Sequence, residues 1–301
     1  MRRDDQRESP GQRQLDRASG GIEGLPSRAL RYGKAKKTAL DVVEYIDQTQ
    51  PSSKPLADRI RSCGDYLLFR HYTTVDQVKL HAASFCMKHL LCPLCAIRRG
   101  SKALTAYLER WETIKAQRPH LKAHMVTLTV KNGPDLAERF AHLQASLQQL
   151  HKRRRQGRRS VLDQVEGMVW SYEIKRGKGG KGWHPHVHMI ALASEAIDAR
   201  QLSSEWHAIT GDSKIVETHE IYGDEVEGFS EVFKYACKFS DQPTADTWHA
   251  FQTLRGRNLM ASSGCFRGVQ VPEQLTDDET DLEGLPFVEY FYRYLVGRGY
   301  A

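Results

Sequence analysis

Apolar and polar residues recur with different periods along the chain, and the periods predict its elements. Leu136, Phe140, Leu143, Leu147 and Leu150 return every three to four residues, the stripe of an amphipathic helix that runs out into the basic HKRRRQGRR. Leu104, Leu108 and Trp111 give Ala103–Gln117 the same reading. In HMVTLTVKNGPD, Val126 to Val130 reads as a strand that Asn132-Gly133-Pro134 stops. MVWSYEIK is a second strand, RGKGGKG a loop, and WHPHVHMIAL a third strand. Residues 198–209 predict a helix, KIVETHEIY (214–222) a strand and GFSEVFKYACKFS (228–240) a helix. This order of strands and helices predicts an α+β domain built on an antiparallel sheet with helices on its faces.

The flanks read differently. Residues 1–57, rich in Arg, Lys, Gly, Ser, Gln and Pro, predict a flexible basic tail with a short helix at Ala39–Ile46. Residues 58–103 hold a cysteine cluster, 104–270 the α+β domain, and 271–301 an acidic linker (DDETDLEGLP) with a final aromatic-rich helix. No internal repeat is found. No run approaches the roughly 18 apolar residues that span a membrane, and MRRDDQRESPGQRQLDR lacks an apolar signal core. The expectation is a soluble cytoplasmic protein. A net charge of +7 favours a polyanionic partner. Lys152–Arg159 carries six Lys or Arg, and Lys175–Lys181 is a Lys/Arg/Gly loop; both suit contact with DNA phosphates. Trp170, Tyr172 and Trp183 flank that loop and offer rings for base stacking or for the core.

In KGWHPHVHMIAL, His184, His186 and His188 alternate at period two, which aims them at one face of a strand. With 13 histidines in 301 residues, chance yields such a triple on the order of 0.02 times per chain. Imidazole is the commonest metal ligand. A symmetric hairpin about the loop Gly177–Gly182 sets Glu173 opposite His186 and Ser171 opposite His188, so a carboxylate shares the face with two imidazoles. Such a mixed N/O set suits Mg²⁺, Mn²⁺ or Zn²⁺. His184 is either a third nitrogen ligand or a ring that points past the site.

In SEVFKYACK, Glu231 and Tyr235 lie four apart, as do Lys234 and Lys238, so each pair shares a helix face. A tyrosine beside a metal can attack phosphorus, and a carboxylate one turn earlier can take a proton from water. Lys238 is the third candidate catalytic residue.

Of the six cysteines, Cys86, Cys92 and Cys95 crowd into ten residues. Their C-x5-C-x2-C spacing suits a structural Zn²⁺ in a reducing compartment, with Cys63 as fourth ligand and His81 or His89 as competitors. Arg98, Arg99 and Lys102 follow, either against phosphates or on a solvated face.

Four motifs then carry a resemblance. CGDYL at Cys63 with FCMKHLLCPLCAIRRGSK, TLTVKN, HPHVH and EVFKYACK, followed by GRNLMASSGCFRG, resemble in their order the HUH-type rolling-circle replication initiators of the bacterial plasmid Rep_1 family. The likeness covers about residues 58–270. It implies a ferredoxin- or RRM-like HUH core and a nickase acting on one strand of a double-strand origin. Mg²⁺ or Mn²⁺ would be held by His186 and His188 with Glu173, Tyr235 would be the nucleophile, and Glu231 would activate water in the closing step. DNA and a host helicase are the implied partners. Related transposases and mobilisation relaxases share H-x-H, and a zinc-containing DNA-binding regulator would account for the charge and cysteines alone.

Overall fold

A computed structural model describes residues 20–155, 160–177, 182–235 and 242–301, with the side chains of residues 154, 155, 234 and 235 outside that set. Two helices lead, α1 (Leu25–Thr49) and α2 (Lys54–Arg61), then strands β1 (Tyr66–Tyr72) and β2 (Gln77–Ala83) and helix α3 (Pro93–Gln117). There follow β3 (Lys122–Thr129), α4 (Leu136–Arg155), β4 (Gly167–Arg176), β5 (Trp183–Ala193), α5 (Ala199–Thr210), β6 (Val216–Glu220) and α6 (Glu225–Tyr235). Helix α7 (Thr244–Leu254) and strands β7 (Met260–Gly264), β8 (Phe287–Leu295) and β9 (Gly299–Tyr300) close the chain.

Five antiparallel strands form the larger sheet in the order β6-β3-β5-β4-β7. Alternation along β5 divides its side chains between two cores. Val187, Met189 and Ala191 face the leucine stripe of α4 together with α5 and α7. Ile190 and Leu192 face Trp111 of α3 and Phe229, Val232 and Phe233 of α6. Both faces are covered, as the near-continuous apolar run of this strand requires. The α+β, antiparallel reading therefore holds.

The flanks depart from expectation. The basic segment before residue 57 contains a 25-residue helix whose stripe Leu25, Ala29, Tyr32, Ala39, Val43 and Ile46 is buried. Its period was masked because Arg28 and Lys36 fall on the same buried stripe. The expected C-terminal helix is instead β8, paired with β1 in a second sheet of order β2-β1-β8-β9. Tyr290, Tyr292 and Tyr294 alternate with outward Glu289, Phe291 and Arg293, and aromatic residues at period two favour a strand. Helix α3 runs unbroken through residues 103 and 104, where a domain boundary was expected.

The acidic segment is likewise no linker. Asp277 is buried and accepts from Arg28 Nη2 at 2.7 Å, Arg98 Nη2 at 2.5 Å and the Leu80 amide at 2.6 Å. Arg98, expected against phosphates or solvent, is wholly buried; it also donates to Leu275 O at 2.7 Å and Tyr32 Oη at 3.1 Å. Arg99 is half-buried and donates to Pro272 O. Burial alone would push the Asp277 carboxyl up, but Arg98 and then Arg28 outweigh it and hold it well below the usual carboxylate range.

Asp277→Ala should destabilise the protein by about 3 to 5 kcal/mol, because two guanidiniums would be left buried and uncompensated. Urea unfolding measures this; a loss under about 1 kcal/mol would mean water relieves the pair. Since the folded pKa is depressed, this stabilisation is complete above the unfolded value near 3.9 and fades as pH falls below it.

Candidate metal centres

Three neighbouring strands change from apolar to polar at one height on the α3/α6 face. Met125, Ile190 and Val169 form one row; the next holds Thr127, His188 and Ser171, and the next Thr129, His186 and Glu173. Pairing of Glu173 with His186 and of Ser171 with His188 is the symmetric register expected from the loop. Glu173 is fully buried and His186 nearly so.

Glu173, His186 and His188 converge, the donor atoms all lying within 4.8 Å of one another. Glu173 Oε2 lies 2.5 Å from His186 Nε2 and 3.2 Å from His188 Nε2. His186 Nδ1 lies 3.4 Å from the His184 carbonyl, which only accepts and so favours the tautomer with its proton on Nδ1. In the neutral ring the Nε2 lone pair then faces the carboxylate. His188 Nδ1 is 3.1 Å from Thr127 Oγ1, an outer partner that orients the ring. Burial pushes His188 below the ordinary histidine value against the pull of Glu173, which keeps its lone pair available at neutral pH. Lone pairs and a carboxylate aimed at one another call for a cation between them. The fit is fair: ligands about 2.1 Å from an octahedral ion stand about 3.0 Å apart at right angles, so the longer edge matches and the shorter one would open.

His184 stands outside this group. It pairs with Lys175 one row nearer the loop, and its Nδ1 donates to Asn132 Oδ1 at 2.6 Å. Burial, then His186 and Lys175, push it down to about 4. Helix α6 packs on β4 and β5, and Ser171 Oγ donates to Val232 O at 2.5 Å. Glu231, half-buried, is near enough to His188 to favour its charged form. Tyr235 is the last described residue of α6; its side chain, and the whole of Lys238 and Cys237, lie outside the described residues.

The second centre is built by sulfur. Cys63, Cys86, Cys92 and Cys95 are buried, and their Sγ atoms also lie within 4.8 Å of one another. Cys63–Cys95, Cys86–Cys95 and Cys63–Cys92 are 3.5, 3.6 and 3.5 Å apart. A Zn–S bond of about 2.3 Å implies tetrahedral edges of about 3.8 Å, whereas a disulfide is about 2.05 Å, so the cluster fits a tetrathiolate ion site. Cys92 caps α3 and Cys95 lies in its first turn, while Met87, left-handed at φ 59°, turns the chain just after Cys86. The Cys86 sulfur and burial among the others push the Cys63 thiol up, so a cation is needed to hold four thiolates there. Lys36, buried, donates to the carbonyls of Arg61 and Cys63 and to Asp65 Oδ1. His81 binds Glu279 instead, and His89 is outside the group.

Sequence reasoning missed Thr127, Asn132 and Lys36 as supporting residues; the first two stood in the quoted TLTVKN. Tyr172 and Trp183 are core residues, and only Trp170, against His151, remains half-buried. Most of the two basic stretches lies outside the described residues.

A family model described as "Rep_1: Replication protein" matches residues 77–288. The chain is 28% identical over 143 residues to "Protein rep" of Streptococcus pneumoniae serotype 2 (strain D39 / NCTC 7466), covering 47% of this chain but 42% of that protein. It is 26% identical to "Protein rep" of Lactiplantibacillus plantarum over 70% of each chain. It is 23% identical to "Protein rep" of Lentilactobacillus hilgardii over 85% of this chain and 87% of the other. The chain thus spans less than half the length of the first of these relatives. No solved structure matches.

Protein purified without chelator should contain about one zinc ion per chain by elemental analysis, resistant to brief chelation, because four ligands leave no open position. Cys92→Ser should lose that ion and most soluble yield. Metal-free wild-type protein of normal stability would reject the sulfur site.

Proposed function

The chain belongs to the Rep_1 family of replication proteins, and from that premise we propose that it initiates plasmid rolling-circle replication as an HUH-type single-strand nickase and strand transferase. The reading is carried by one observation: a carboxylate and two histidines converge on adjacent central strands beneath the helix that carries Glu231 and whose described part reaches Tyr235. On this reading the five-stranded sheet is the HUH core, with the cysteine centre as a structural zinc module. Glu173, His186 and His188 would hold a divalent cation, Mg²⁺ or Mn²⁺, which when bound polarises the scissile phosphate and offsets its developing charge.

The chain's own groups perform the rest. The Tyr235 phenolic oxygen attacks phosphorus in line; the new O–P bond forms as the P–O3′ bond breaks, leaving a free 3′-hydroxyl and a 5′-phosphotyrosine. Lys238, four residues after Lys234 in the sequence, supplies positive charge for the phosphate. With a single tyrosine in this motif, the cycle closes by hydrolysis: Glu231 takes a proton from water as the water oxygen attacks phosphorus and tyrosine leaves. His184, held by Asn132, lines the approach without ligating. The substrate is origin DNA presented as a single strand, in the bacterial cytoplasm, with a host helicase extending the nick.

A labelled origin oligonucleotide tests this with and without EDTA. Tyr235→Phe should abolish nicking and the SDS-stable adduct while leaving DNA affinity within about twofold, since only a hydroxyl is lost. A surviving adduct would assign the nucleophile elsewhere, and full activity in EDTA would remove the cation from the reaction.

Glu231→Ala should nick the origin at near-normal rate yet fail to hydrolyse the terminating strand, so a plasmid carrying it accumulates multimeric single strands. Loss of the first nick as complete as in Tyr235→Phe would instead make Glu231 a ligand or the base for Tyr235.

A further inference from the structure

Away from the histidine centre, and against the loop that joins Cys86 to Cys92, a groove of ≈ 440 Å³ opens between α2, Met87–Leu90 and α7. Its walls include Leu56, Met87, Trp248 and Phe251, with Lys88 and Arg255 among its polar groups and no carboxylate. Neither cation is ion-paired to a described carboxylate, so the groove is apolar in its walls and positive in its field. Trp248 and Phe251 stand one helical turn apart with ring centroids 5.6 Å apart. Met87 holds an exposed side chain from a left-handed backbone, a conformation that costs a non-glycine residue on the order of 1 kcal/mol or more.

One residue of the wall carries a buried donor without a partner. Trp248 is 5% exposed, and its indole N–H finds no acceptor among the described residues. Indole nitrogen only donates, and a buried donor without an acceptor is costly. A ligand that satisfies this wall must therefore bring an acceptor oxygen, a flat apolar face and negative charge.

We propose that this groove binds one unpaired nucleotide of a DNA strand. Its base lies against Phe251 and Met87, its phosphates meet Lys88 and Arg255, and an oxygen of the nucleotide accepts from Trp248. The assignment rests on the nickase reading for the identity of the strand, but the groove shares no lining residue with Glu173, His186 or His188. It serves as a second hold on the DNA, independent of the cut.

The probe is fluorescein-labelled oligodeoxythymidylate of about 16 nucleotides, the upper site size of a stacking groove, alongside a duplex of equal length. Full-length Lys88→Gln/Arg255→Gln protein should bind the single strand at least about tenfold more weakly, and the slope of log K against log salt should fall by about 1.4 for two lost phosphate contacts. Trp248→Phe keeps an aromatic ring and deletes the donor; it should weaken single-strand binding several-fold while keeping the wild-type salt slope, since no phosphate contact is lost. Wild-type affinity and slope in Lys88→Gln/Arg255→Gln would overturn the proposal, as would an equal loss on the duplex. Origin nicking by the wild-type protein is read in parallel. Normal nicking with unaltered binding by the variants sinks the groove alone. Absent wild-type nicking with the expected binding losses sinks the nickase reading alone.

Discussion

The pairing of β4 with β5 is the constraint on which the site depends. Ten residues of β4 meet ten of β5 in unbroken register, from Gly167↔Leu192 to Arg176↔Trp183. A slip of one residue would turn Glu173 out of the histidine face and into the α4 core. Such a slip is resisted over the whole length of the pair. Met168, Ile174, Val187 and Met189 fill one core, while Val169 and Ile190 fill the other, and reversing either set would drive Glu173 into an apolar core and mismatch the packing on both faces. The apolar rows therefore locate the polar rows.

A second set of constraints holds the smaller sheet. Two polar devices reinforce its apolar core: the four cysteines, and Asp277 with Arg28, Arg98 and the Leu80 amide. Helix α3 takes part in both. Cys95 stands in its first turn and Arg98 one turn later, and further along Leu104, Tyr107 and Trp111 pack on the large sheet. One continuous helix thus carries the order imposed at the sulfur cluster to the sheet face that bears the histidines.

This division also explains what the sequence disclosed. The histidine strand, the α4 stripe and the β4–β5 register were legible because each is local: a period of two, a period near 3.6, and a loop centred between its strands. The cysteine grouping was legible from spacing. Helix α1 was not, because its buried stripe includes Arg28 and Lys36, which composition assigns to solvent. Nor was the role of Asp277, since its Arg98 partner lies 179 residues away and charge–charge recognition leaves no periodic trace. Strand β8 was misread for a different reason. Its tyrosines do alternate at period two, but outward Phe291 and Leu295 fill the intervening positions and blur the alternation.

The same local-to-distant logic links the strands to the helix above them. Ser171 shares a row with His188, and its hydroxyl binds the carbonyl of Val232, the residue after Glu231. Phe229, Val232 and Phe233 press into the apolar rows, which sets the depth of α6; the Ser171 bond sets its position along the strands. A helix fixed only by apolar contacts can slide by part of a turn at small cost, since such packing is weakly directional. A buried hydroxyl–carbonyl bond adds direction, because breaking it would strand two polar groups. The register that sets Glu173 against His186 thus also fixes where Glu231 stands over His188.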